Sequence, residues 1–227
     1  MAKSSVVFLF DVDNTLLDND RVTADLKKFL DRSVGKEREE CYWKLFEQLR
    51  SELGYADYLG ALQHYRKEYP RDTHLLSISQ YLINYPFANR LYPESLDVID
   101  YVKKWGPAVL FSDGDAVFQP RKVERSSLLE TVEGNVLIYI HKEENLDDVE
   151  QCYPADHYVF VDDKLRLLHT VKQSWKDLVT TVFVKQGHYA WDPEILKKYP
   201  PADVNLSRIG EILQLNLQQL TTSSHKA

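Results

Sequence analysis

The sequence predicts an α/β fold, a doubly wound parallel-sheet core with an inserted all-helical domain. Three observations carry that prediction. Five short apolar runs each end in polar or charged residues, helix-like segments separate the later runs, and the long interval after the first run holds helical periodicity alone. The runs are Val6 to Phe10, Ala108 to Phe111, Val136 to Ile140, Tyr158 to Val161 and Thr180 to Val184. Their β-branched and aromatic content, without polar alternation, suits strands buried on both faces of a parallel sheet. Strand-helix alternation from the second run onward is the pattern of a doubly wound core.

Taken in order, the first run leads into the insert. From about Val22 to Tyr85 no strand is expected, and this interval is far too long for a βα loop of about 2–6 residues. Cys41, Leu45, Leu49 and Leu53 fall four apart, and Tyr58, Leu62 and Tyr65 continue a similar stripe. Residues 1–18 and 90–227 are therefore read as the core and 19–89 as the helical domain, with Pro70 and Pro86 punctuating it. Helices are expected over Glu94 to Trp105, near Gln119 to Leu129, over Leu146 to Cys152 and over Leu165 to Trp175. The Gly106-Pro107 pair stops the first of these before its strand. Pro193 to Pro201 reads as a loop, Ile209 to Leu220 as a closing helix, and Thr221 to Ala227 as a frayed tail.

Composition narrows the function. The 227 residues carry a formal net charge of -7, which excludes a nucleic-acid backbone or an anionic membrane as the main partner, since both recruit basic surfaces. An anionic small substrate stays open, because one bound metal ion reverses the local field. The run after Lys3 is too short for the apolar part of a signal peptide and lacks a cleavage site. No stretch approaches the roughly 20 apolar residues of a membrane span. Cys41 and Cys152 stand in no metal-binding spacing and read as thiols of a reducing compartment. Cytoplasm is the expected location.

Chemistry-bearing groups sit immediately after the strands, where an open parallel sheet places its ligand site. Asp11 and Asp13 follow the first run, Ser112 the second, Lys142 the third, and Asp162 with Asp163 the fourth. The carboxylates make a hard, oxygen-rich pocket suited to Mg²⁺, and without a divalent cation they would repel one another.

FLFDVDNTLLD, from Phe8 to Asp18, closely resembles the signature of the haloacid dehalogenase-like hydrolases: an apolar strand, then Asp-x-Asp-x-Thr. VLFSDGD at Ser112, YIHKEE at Lys142 and VFVDDK at Asp162 and Asp163 resemble the three further motifs, in the family's order. The helical insert resembles the family's most common cap domain. The resemblance implies a Rossmann-like core and a phosphatase that takes a small phosphorylated metabolite. Asp11 would be nucleophile and Mg²⁺ ligand, forming an aspartyl-phosphate. Asp13 would serve as general acid and base while its backbone carbonyl binds the metal. Asp162 would be the third metal ligand. Ser112 and the backbone N–H groups of Asp113 and Gly114 would hold phosphoryl oxygens. Lys142 would neutralise the Asp11–phosphate pair, Asp163 would orient Lys142 or a metal-bound water, and Thr15 would fix the turn and the geometry of Asp13.

Some positions depart from the pattern. Asn14 stands where Gly is frequent, and Asn tolerates left-handed backbone. Asp113 replaces a frequent Asn, and an acid beside a phosphate site has to point away. Glu143 replaces a frequent Pro after Lys142, which leaves Lys122 as a rival active-site lysine. His141 reads as a packed or exposed neighbour, His188 as a residue at the crevice mouth, and Tyr42, Trp43, Tyr55 and Tyr58 as core of the insert. A phosphomutase is the alternative enzyme. A 2-haloacid dehalogenase is disfavoured by Asp13, because members that displace halide usually lack an Asp there. A non-catalytic scaffold is disfavoured because every strand-end position is filled.

Overall fold

The computed structural model describes residues 3–221, so residues 222–227 of the expected tail lie outside the described residues. Strand β1 (Val7–Phe10) leads into four helices, α1 (Asn19–Val34), α2 (Lys36–Leu53), α3 (Tyr58–Glu68) and α4 (Leu75–Asn84). Helix α5 (Ser95–Val102) then returns the chain to β2 (Ala108–Asp113), followed by α6 (Phe118–Arg125), α7 (Leu128–Thr131) and β3 (Val136–Tyr139). After α8 (Leu146–Cys152), β4 (Tyr158–Asp162), α9 (Leu165–Trp175) and β5 (Val179–Val184) come α10 (Pro193–Lys198), β6 (Val204–Leu206) and α11 (Leu217–Thr221). The six strands form one parallel sheet in the order β3-β2-β1-β4-β5-β6. This is the Rossmann-like α/β core expected from the sequence.

Alternation along each strand divides the core between the two faces of the sheet. Phe8, Phe10, Leu110, Val159, Val161, Val182 and Val184 pack on one face, continuous with the core of the helical insert. Val7, Leu9, Val109, Phe111, Phe160 and Phe183 pack on the other, under α8 and α9. Each such buried side chain contributes about 1.5–3 kcal/mol. Gly106 is needed where the chain enters β2, because a Cβ there would lie 2.1 Å from the Val6 carbonyl oxygen.

The insert folds around Leu26, Leu30, Tyr42, Trp43, Phe46, Tyr58, Tyr65, Ile78 and Leu82. The stripe read from the sequence is rotated on α2. Its buried face is Tyr42, Trp43, Phe46 and Leu49, while Cys41 and Leu45 are half-buried and Leu53 is exposed. The aromatic rings outweigh the aliphatic register because they remove more apolar surface from water. The chain leaves and re-enters the core through adjacent segments, with Asp18 N donating to Arg90 O at 2.7 Å and Tyr92 N to Leu16 O at 2.9 Å.

Three further expectations are corrected. The segment Pro193 to Pro201 is no plain loop: Asp192 caps α10, accepting from Glu194 N, with Pro193 at the first helical position. The closing helix is a 3₁₀ segment (Ile209–Gln214) followed by α11. Its buried Ile209 and Ile212 are three apart, the 3₁₀ repeat. The helix near Gln119 to Leu129 breaks at Ser127, whose φ is 66°. Among the described residues no helix is long and apolar enough to cross a membrane, and Cys41 and Cys152 are free thiols.

Candidate active site

Strand β1 lies mid-sheet, and the chain fills the sheet to both sides of it, so the crevice beyond its carboxyl end is a topological switch point. Asp11 is fixed there by its N–H donating to Val161 O at 2.9 Å. The following turn is tight: Asn14 takes φ 61° and donates its N–H to Leu17 O at 2.6 Å. Asn14 also bonds Asp20 in both directions, through Nδ2 to Asp20 Oδ1 and from Asp20 N to its own Oδ1, each at 3.1 Å. Its side chain thus stabilises the left-handed backbone. Thr15 hydroxyl donates to Asp11 Oδ2 at 3.4 Å, not to Asp13, because the turn folds it back over the strand end.

The carboxylates Asp11, Asp162 and Asp163 are buried with one oxygen of each within 4.8 Å of the others. Lys142 Nζ, itself buried, lies 2.6 Å from Asp11 Oδ1 and 2.7 Å from Asp162 Oδ2 and donates to Phe111 O at 3.0 Å. Burial alone would lower the Lys142 ammonium, but Asp11, Asp162 and Asp113 hold it well above the ordinary lysine range. Burial pushes Asp162 up to about 6, opposed by Lys142 and assisted by Asp11. Asp163 is pushed well up by burial and by Asp162, and both of its carboxylate oxygens are buried without a hydrogen-bond partner.

Those orphaned oxygens test the metal. Oxygens buried without donors are costly, and a hard, all-carboxylate donor set with no thiolate or imidazole fits Mg²⁺. Asp163 therefore belongs with the carboxylate cluster, whereas the sequence pattern placed it behind Asp162. The expected ligand at Asp13 is its carbonyl, and the Asp13 side chain is engaged elsewhere.

The two rival lysines meet different carboxylates: Lys122 Nζ lies 2.5 Å from Asp13 Oδ1 and 3.1 Å from Asn19 Oδ1, whereas Lys142 Nζ lies 2.6 Å from Asp11 Oδ1. Asn19 Nδ2 in turn approaches the Tyr58 hydroxyl at 3.4 Å, and that hydroxyl shares a 2.9 Å bond with Thr23 Oγ1. Burial pushes the Tyr58 phenol up to about 12, with the Asp13 charge adding to it.

On β2, Ser112 Oγ is buried and accepts from Gln119 Nε2 at 2.9 Å. Asp113 borders the cavity, and its Oδ1 accepts the Lys142 N–H at 2.7 Å, capping the turn that carries Lys142. The Gly114 N–H, expected to face a phosphoryl oxygen, donates instead to Tyr139 O at 3.0 Å, because the β2–β3 ladder continues past Asp113. Gly114 is required where it stands, since a Cβ would meet Gln119 Cβ at 2.5 Å.

Over these groups lies a cavity of about 510 Å³ between insert and core. Asp13, Asp113, Gly114, Lys122 and Lys164 open on it from the core, and Trp43, Arg50, Tyr55 and Tyr58 from the insert. Tyr42, Trp43 and Tyr58 are buried and form the insert's core, as expected, while Tyr55 is half-buried. His141 lies against Gly54 at the end of α2, and His188 holds Asp20 through N at 2.8 Å and Nδ1 at 2.6 Å. Lys164 was not singled out in the sequence, although it directly follows the acidic pair. Burial alone would lower its ammonium, but Asp11, Asp163 and Asp162 raise it.

No family model and no curated protein matches the chain. Solved structures do. A haloacid dehalogenase-like hydrolase from Burkholderia xenovorans LB400 is 57% identical, with 94% of this chain and 99% of that one covered and a TM-score of 0.90. The HAD-hydrolase YfnB from Bacillus subtilis, bound to magnesium, is similar in fold at 15% identity, with 93% and 98% covered and a TM-score of 0.60. An L-2-haloacid dehalogenase from Xanthobacter autotrophicus is similar in fold at 16% identity, with 95% and 98% covered and a TM-score of 0.60.

Proposed function

The chain belongs to the haloacid dehalogenase-like hydrolases, and from that premise we propose that it is a cytoplasmic, Mg²⁺-dependent phosphatase of small phosphomonoesters. One observation carries the choice within the family: a second carboxylate, Asp13, opens on the cavity beside the buried Asp11, with 25% of its side chain exposed. A halide leaves as a stable anion and needs no proton, whereas an alkoxide leaving a phosphoryl group does. An acid placed there is explained by ester cleavage and not by dehalogenation.

In the proposed reaction a carboxylate oxygen of Asp11 attacks phosphorus. The bond from phosphorus to the ester oxygen breaks, and that oxygen takes a proton from Asp13 and departs as the alcohol. Asp13, now ionised, accepts a proton from water as the water oxygen attacks the aspartyl-phosphate. Phosphate leaves, Asp11 is again a carboxylate and Asp13 is again protonated. Lys142 holds the orientation of Asp11 and offsets charge as it builds. Ser112 and the Asp113 N–H face the phosphoryl oxygens. Asp11, Asp162 and Asp163, with the Asp13 carbonyl, would hold Mg²⁺, which supplies charge neutralisation for the transferring group. The cavity between insert and core suits a metabolite-sized leaving group better than a folded phosphoprotein.

Phosphate release from a panel of small phosphomonoesters tests this, with wild type, wild type plus chelator, and Asp11→Asn. Release that both chelation and the substitution abolish is expected. A rearranged phosphate ester with little free phosphate would instead indicate a mutase. Chloride release from 2-chloropropionate without phosphatase activity would overturn the reading.

A further inference from the structure

Lys122 is the other buried lysine of this site, and the mechanism above leaves it without a task. It extends from α6 and is fully buried, its ammonium 5.3 Å from the centre of the Phe118 ring. Burying an ammonium is expensive, and an apolar side chain of similar length would pack against Phe118 without that cost. The geometry of its partners is specific. Nζ lies 2.5 Å from Asp13 Oδ1, a residue of the core, and 3.1 Å from Asn19 Oδ1, the first residue of the insert's first helix. Asn19 is itself held by the Tyr58 hydroxyl.

Resting on the phosphatase reading, we propose that Lys122 is a positioning residue for Asp13. It pins one carboxylate oxygen, so that the exposed part of Asp13 meets the ester oxygen in a single orientation. A general acid delivers its proton only within hydrogen-bond reach of the departing oxygen, and a carboxylate free to rotate spends much of its time elsewhere. The link to Asn19 and Tyr58 ties that orientation to the insert. Asp13 is therefore set correctly when insert and core are packed as they are here.

The role predicts a dependence on the leaving group that a structural role lacks. Nitrophenolate departs as an anion and needs no acid, whereas the benzyloxy group of an ester of similar size requires a proton. The experiment measures kcat/KM for 4-nitrophenyl phosphate and benzyl phosphate with the full chain and Mg²⁺, for wild type, Lys122→Met and Lys122→Arg. Because kcat/KM covers only the steps through departure of the leaving group, hydrolysis of the aspartyl-phosphate does not enter. Lys122→Met is expected to lose about 100-fold on benzyl phosphate and under about 5-fold on 4-nitrophenyl phosphate. Lys122→Arg is expected to recover much of the benzyl loss. Should Lys122→Met fail to fold, Asn19→Ala must show the same split at smaller size. Equal losses on both esters, in whichever variant folds, would overturn this inference alone. Wild-type silence toward both esters would overturn the phosphatase reading and this inference with it.

Discussion

Two buried aspartates of this molecule behave in opposite ways. Asp72, in the insert, has a side chain 1% exposed that accepts from the Tyr65 hydroxyl, from Arg38 Nη1 at 3.1 Å, and from the N–H and ring of His74 at 2.8 and 2.9 Å. Burial alone would raise its carboxyl, but Tyr65, His74 and Arg38 together bring it down to about 2. Asp163, in the core, is fully buried, yet neither of its oxygens has a donor, and its carboxyl is held well up. Saturated with donors, a buried carboxylate stabilises the fold; starved of them, it strains the fold until a cation arrives. The difference separates a structural acid from a site acid without reference to sequence motifs.

The contrast can be broken most severely at Asp11. Asp11→Asn is expected to cut phosphate release by at least about 10⁴-fold, since it removes the proposed nucleophile. Retained turnover in scrupulously purified protein would end the assignment.

Asp72→Asn is expected to do the reverse, costing about 2–3 kcal/mol, or roughly 5–10 °C in melting temperature, with turnover little changed per folded molecule. Because the folded carboxyl sits at about 2, below its unfolded value, its contribution is present above pH 4 and lost as pH falls toward 2. Acid unfolding of the wild type and of Asp72→Asn should converge in that window. Curves that stay parallel would mean that Asp72 is not the group responsible.

At Asp163 the sign changes. Asp163→Asn is expected to stabilise the metal-free protein by about 1–2 kcal/mol and to weaken Mg²⁺-induced stabilisation. Thermal melts with chelator and with Mg²⁺ measure both, and destabilisation with chelator would show that the acid has a partner after all.

A smaller effect follows in wild type. Asp162, raised to about 6, favours the folded state while it is protonated, and that contribution is lost as pH rises from about 4 through 6. Mg²⁺ takes the ionised carboxylates, so its gain in melting temperature should be greater at pH 7.5 than at pH 5 by a few degrees. An equal gain at both pH values would place the ion elsewhere.

Much of the fold was legible because buried parallel strands advertise themselves as unbroken apolar runs, and the polar residues that end them mark the crevice. The strand β6 was missed because Val204–Leu206 is three residues long and partly exposed, too short to carry a pattern. The helix α10 was missed because its flanking prolines read as a loop, although Asp192-Pro193 is a recognised start signal. On α2 the four-residue aliphatic spacing pointed to a face one position away from the aromatic one that the insert buries.

The sequence by itself determined the alternation of strand and helix, the inserted helical segment and the order of Asp11, Asp13, Ser112, Lys142, Asp162 and Asp163 along the strand ends. These depend on local pattern, which survives in one dimension. Only the tertiary structure decided that Lys142 lies against Asp11 and Lys122 against Asp13, that Gly114 donates to Tyr139, and that Asp163 has no donor. Each of those depends on which groups meet across more than 20 residues of intervening chain, or on a donor failing to meet them, and distance in space is not written in spacing along the chain.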